Sequence, residues 1–211
     1  MSLLDTVSIL GEVGPGPAVA DGTSQKLRLD KNKSLITTLA HGKYADASRR
    51  GNLYMAHAVI TAPVIYSTEA GTGGPLLWNG SSNVNASILA VGISVTVVTT
   101  VAAALGLTGG GGQSAAPTST TAIDSTGNLL VGGGSSACTA YRVGTTVDNK
   151  WFMPLAALHT GALTVDTFGL GWIDLEGMIT VPPNSFVSLA ASATASTTVM
   201  QACIIWEEIP I

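Results

Sequence analysis

Two neighbouring carboxylates, three histidines, two cysteines and several glycine runs are the groups in this chain that could do chemistry. Asp174 and Glu176 are two apart, so on a strand they share a face. Paired carboxylates can hydrolyse a glycosidic bond, one as acid and the other as base or nucleophile. A sugar-cleaving groove also needs aromatic platforms, and aromatics make up only 5% of the chain. The pair therefore reads as solvated charge at a strand end. His41, His57 and His159 are far apart, and no HExxH or CxxC spacing accompanies them, so they define no metal site. His57 lies in a strand-like run and reads as a hydrogen-bonded sheet residue. Cys138 and Cys203 read as small hydrophobes in strands. Gly109–Gly112 is followed by Gln113 and Ser114, without the lysine a phosphate-binding loop requires. It reads as a mobile surface loop. There is no GxSxG nucleophile elbow. The expectation is a chain with no catalytic residue, no metal and no cofactor.

The elements that carry these residues are strands. From Asn52 onward, short apolar and β-branched runs are punctuated by Gly, Pro, Ser and Asn, the pattern of an all-β sandwich or barrel. Strands are predicted over Leu53–Tyr66, Val84–Val101, Thr121–Val131, Cys138–Val147, Asn149–Leu158, Ala162–Phe168, Leu170–Ile173, Gly177–Val181, Phe186–Ala190 and Thr198–Glu207. Pro63 marks an edge or a bulge. Glu69–Pro75 reads as a turn and Leu107–Thr120 as a loop. Val101–Leu105 is the best candidate for a short helix. The uncharged run Asn85–Leu107 is long enough to cross a bilayer. However, Leu89, Val91, Ile93, Val95 and Val97 alternate with Ala90, Gly92, Ser94 and Thr96, which marks a half-buried strand. The last strand is apolar on both faces. Met200, Ala202, Ile204 and Trp206 share one face, with Val199, Gln201, Cys203 and Ile205 on the other. The first set is expected in the core and the second against a neighbouring subunit.

Charged residues make up 10% of the 211 residues, against about 25% in an ordinary globular protein. So little charge leaves a surface that tends to associate. The charges present are unevenly placed. Residues 1–50 hold seven basic and five acidic side chains, whereas residues 51–211 hold two and eight. A boundary near residue 50 follows, with an extended arm over 1–50 and a β-body over 51–211. The arm contains Gly11-Glu12-Val13-Gly14-Pro15-Gly16-Pro17, which sustains neither helix nor central strand. Its basic residues are Lys26, Arg28, Lys31, Lys33, Lys43, Arg49 and Arg50. Asp30 and Asp46 interrupt them and few aromatics are available to stack on bases, so an acidic protein surface suits them better than nucleic acid. The N-terminus has no basic residue before its apolar stretch and does not read as a secretory signal. Cytosolic synthesis with reduced thiols is expected.

Two stretches resemble one family. His41, Gly42, Lys43 and Tyr44, then Arg50, Gly51, Asn52 and Tyr54, resemble the arm-to-body junction of a group of tailed-bacteriophage virion proteins. Gly177–Pro210, with Val181-Pro182-Pro183-Asn184, a Ser/Thr/Ala-rich turn and a last strand bearing Trp206-Glu207-Glu208, resembles their closing hairpin. The resemblance implies a head decoration (cement) protein on the capsid surface, with a homotrimeric jelly-roll body. It implies that the N-terminal arm clamps the major capsid protein. Partners would then be the capsid protein and the chain itself, with no nucleic acid, membrane or small molecule. The rival reading is a fibre or spike head that recognises a host receptor or glycan, which an exposed aromatic beside the glycine-rich loops would favour. A third is a sugar-cleaving virion enzyme using Asp174 and Glu176.

Overall fold

Side chains that alternate between apolar and small or polar build a sheet with one face to a core and one face outward. In the computed structural model this happens twice, and the two inner faces meet. The structure describes residues 44–61, 70–97, 103–113, 115–123, 125–147, 149–158, 171–192 and 199–211. Ala45–Ile211 forms one compact unit. It opens with a single helical turn, α1 (Ala45–Arg49), closed by Gly51 at φ +74°. The strands follow as β1 (Leu53–Thr61), β2 (Ala70–Gly73), β3 (Leu76–Asn79), β4 (Val84–Val97), β5 (Ala103–Gly110) and β6 (Thr118–Ala122). Then come β7 (Ser125–Asn128), β8 (Thr139–Val147), β9 (Trp151–Leu158), β10 (Gly171–Val181), β11 (Ser185–Ala191) and β12 (Val199–Pro210).

The first sheet runs β10-β4-β12-β1-β7. In the second, β2 and β3 lie in succession along one edge of β8, β6 takes its other edge, and β11, β5 and β9 follow beyond β3. All pairings are antiparallel. With β2 and β3 counted as one interrupted strand and β6–β8 set aside as an excursion, eight strands remain. Each step along them crosses between the sheets, except β5 to β9. The resulting orders, β10-β4-β12-β1 and β2/β3-β11-β5-β9, are those of a jelly roll, so the fold is an all-β sandwich of that kind. The excursion widens both sheets, with β7 beside β1 and β8 beside β3.

The core lies between the sheets. Met200, Ala202, Ile204 and Trp206 of β12 enter it with Tyr54, Ala56, Ala58 and Ile60 of β1. Leu105 and Leu107 of β5 and Val187 and Leu189 of β11 face them from the other sheet. The Trp206 and Tyr54 rings stack with centroids 5.9 Å apart. Asn79, fully buried, is held by amide donation to Val84 O (2.8 Å) and Val181 O (2.9 Å).

Several local expectations fail for identifiable reasons. Of the helix expected over Val101–Leu105, residues 101–102 lie outside the described residues and Ala103–Leu105 instead opens β5, which lies between β11 and β9. Leu107–Thr120 is not a loop throughout, since β5 runs to Gly110 and β6 starts at Thr118. Gly106 and Gly109 belong to a packed strand. A Cβ at Gly106 would fall 2.3 Å from Met153 O. Glu69–Pro75 contains β2 and a cis Gly74–Pro75 bond where a turn was expected. β7 ends at Asn128, so Leu129–Val131 is not strand. Leu170–Ile173 and Gly177–Val181 belong to one bulged strand, β10. The alternation in β4 slips at Leu89, which no residue of β12 or β10 opposes. Ile88 and Val91, three apart, both face the core. The segment Ala162–Phe168 and Pro63 lie outside the described residues. The uncharged run 85–107 contributes to β4 and β5, in different sheets, and no helix among the described residues is long and apolar enough to cross a membrane.

Candidate binding surface

The outer face of the first sheet gathers uncharged side chains around its middle, with Asp174 exposed two residues from Trp172. Its centre is set by register. His57 of β1 opposes Cys203 of β12, which opposes Gly92 of β4, which opposes Trp172 of β10. Residues directly opposite across a sheet point to the same side. Gly92 carries no side chain there, so its two neighbours close in over it. A Cβ at Gly92 would lie 2.7 Å from Cys203 Sγ and 3.6 Å from the Trp172 ring. The result is an open hollow of about 420 Å³ with Gly92 in its floor and Trp172 at its side. His57, Ser94, Gln201 and Cys203 also line it, and none of its described lining residues is Asp, Glu, Lys or Arg. Trp172 is 59% exposed. Burial raises the Cys203 thiol above its ordinary pKa.

A second feature stands at the end of the same sheet. Beyond Asn128 the chain projects Leu129, Leu130 and Val131 into solvent, the last 98% exposed. This tip is held firmly from below. Asn128 donates to Gly51 O (2.6 Å) and accepts from the Leu130 amide (2.8 Å), and the Leu129 amide donates to Leu53 O (2.8 Å). The return limb is clasped by Glu208, a buried carboxylate on β12. It accepts from Ser136 Oγ, from the Ala137 amide (3.0 Å) and from the Cys138 amide (3.1 Å). Burial first, and the Glu208 carboxylate second, push the Cys138 thiol up to about 12.

The residues singled out in the sequence fall into three groups. Lys26, Arg28, Lys31, Lys33, Lys43, His41 and His159 lie outside the described residues. Arg49 and Arg50 are exposed at the end of α1, two residues and one residue before Gly51, whose position abuts Leu130. Val199, Gln201, Cys203 and Ile205 line the outer face of β12, Gln201 exposed, Val199 and Cys203 half-buried and Ile205 buried. Asp174 and Glu176 are exposed on β10, where the Glu176 amide donates to Asp174 Oδ1 (3.1 Å) and Glu176 takes φ +52°. The Asp174 carboxylate thus accepts a local turn bond within a bulge. Among the described residues no three His, Cys, Asp or Glu side chains converge as metal ligands.

Sequence reasoning missed Trp172, Gly92 and the tip. The tip has a visible signal, Leu129-Leu130-Val131 running directly into three glycines, but it was absorbed into a predicted strand. Compared with family models, curated proteins and solved structures, the chain finds no match.

Proposed function

We propose that this chain is a virion structural protein that decorates and stabilises a bacteriophage head as a homotrimer, with residues 1–50 holding the major capsid protein. The observation that carries the reading is a jelly-roll body, in a chain only 10% charged, that leaves Trp172 exposed on its outer sheet face and Val131 on a protruding loop. So little charge leaves a surface that tends to associate. The family resemblance at 41–54 and 177–210 adds the phage head. The basic residues Lys26, Arg28, Lys31, Lys33 and Lys43, with Arg49 and Arg50 at the arm's root, are assigned to the capsid contact. Val199, Gln201, Cys203 and Ile205 are assigned to the subunit contact. A protein that binds only the mature shell stabilises it by mass action, by about 2.7 kcal/mol per site at a hundredfold excess over Kd.

Removal of residues 1–43 is the direct test. The truncated chain is expected to keep its β-type circular dichroism and its oligomeric state, and to lose co-sedimentation with undecorated heads. Undiminished decoration by the truncated chain would sink the arm's role. A second reading, a head that recognises a host receptor or glycan, is favoured by one observation, the exposed Trp172 beside Gly171. Cell binding that vanishes in Trp172→Ala while head binding is absent throughout would select it.

A further inference from the structure

We propose that the Leu129-Leu130-Val131 tip is the apolar anchor of the capsid contact, seated in an apolar pocket of the major capsid protein beside Arg49 and Arg50. This rests on the head-decoration reading above and adds to its contact residues. The tip is bonded directly to the junction where the chain enters the body. Asn128 donates to Gly51 O (2.6 Å) and accepts from the Leu130 amide (2.8 Å), while the Leu129 amide donates to Leu53 O (2.8 Å). Glu208 ties the junction to the return limb: its own amide donates to Asn52 O (2.9 Å), and its carboxylate accepts from the Ala137 and Cys138 amides. A Cβ at Gly51 would lie 3.6 Å from Leu130 Cδ2. Above this clasp Leu129, Leu130 and Val131 are 38%, 39% and 98% exposed. An apolar side chain held this way is costly in water and loses little entropy when it docks.

Proximity selects the occupant. A standard interface takes about 800 Å² from each partner, a disc roughly 16 Å in radius. Arg50 adjoins Gly51 in the chain, and Leu130 lies against the Gly51 position. A partner surface of that size centred on Arg49 and Arg50 therefore reaches the tip. The fully buried centre of an interface is apolar and its rim polar, and the tip and the two arginines supply one of each. Glu207 and Glu208 stand on the strand beside the junction and offset the arginines, so the tip's share of the contact is apolar. The subunit contact lies elsewhere for three of its four assigned residues. Cys203, Gln201 and Val199 oppose His57, Val59 and Thr61, about 13–27 Å along β1 from Leu53.

Val131→Ser removes the apolar end of the tip without adding charge. The full-length variant is expected to keep the wild-type oligomeric state by light scattering and the wild-type thermal midpoint. It is expected to bind undecorated heads at least about tenfold more weakly in co-sedimentation, the loss from leaving one Val unburied. The ratio of wild-type to variant affinity should hold between about 0.05 and 0.5 M salt, a range over which exposed charges are progressively screened. Equal binding by the two chains, or a ratio that collapses to one at high salt, overturns the anchor and leaves the head-decoration reading standing. A variant that falls apart into monomers overturns it too, by placing the tip between copies. A wild-type chain that does not bind heads overturns both. As a second measure, p-benzoylphenylalanine in place of Val131 is expected, on irradiation of decorated heads, to join this chain to the major capsid protein on a denaturing gel. Adducts between copies of this chain only, or no adduct, would overturn the contact.

Discussion

Glu208 shows how one side chain fixes a loop far away in sequence. Asp and Glu are almost never fully buried unless paired. Here the partners are Ser136 Oγ and two backbone amides roughly 70 residues back along the chain, with the Trp206 indole N–H at 3.4 Å. Glu208→Ala takes the acceptor from the Ala137 amide and the Trp206 indole, while Ser136 Oγ keeps the Cys138 carbonyl and the Cys138 amide keeps Ser136 Oγ. A loss of about 1–3 kcal/mol is expected in urea unfolding, with Glu208→Gln milder. Cys138 gives a pH dependence. Its folded pKa of about 12 lies above the ordinary thiol value, so the native state holds the proton more tightly than the unfolded chain. Stability from this group is therefore complete below about pH 9 and falls as pH rises toward 12, with a slope of at most about 1.4 kcal/mol per pH unit. Cys138→Ala should flatten that decline; an identical alkaline profile in the variant would refute the assignment. None of this was legible in the sequence. Two of the donors to Glu208 are backbone N–H groups, which carry no residue-type signature.

At the level of single elements, β12 was legible as a strand apolar on both faces, and its Met200, Ala202, Ile204 and Trp206 reach the core; β5 was not legible. β5 is paired on both edges and buried along nearly its whole length. It shows no alternation, and its Ala-Ala-Leu start mimics a helix. β4 alternates but slips at one bulge, and no residue type in Ile88-Leu89-Ala90 signals the slip, because all three are apolar. Gly106 is the sharpest constraint on β5. Gly106→Ala would drive a methyl into the Met153 carbonyl, so the β5–β9 pair must part. A destabilisation of about 1–3 kcal/mol is expected, read as a lower unfolding midpoint. An unchanged midpoint would show that β9 gives way freely.

Over the whole molecule, the jelly-roll order ties the ends together. Leu53 pairs with Glu207, so β1 cannot complete its edge until the last strand arrives. β12 joins β1 to β4 at the centre of its sheet and fills the core with Trp206. Deleting residues 199–211 is therefore expected to abolish cooperative unfolding of the body altogether, measured by calorimetry. Because such pairings are non-local, refolding should be slow, on the order of milliseconds to seconds or longer. The sandwich class was legible because strand and turn signals are local. The strand order was not, since register across some 150 residues leaves no local trace. The bulge in β10 has one further effect. β10 is an outer edge of its sheet, and between Asp174 and Ile179 its backbone leaves the ladder through two successive left-handed residues, Glu176 and Gly177. An edge broken in this way offers a poor template for another strand. At the high local concentrations of an assembly, copies are thereby steered away from zipping edge to edge into fibres.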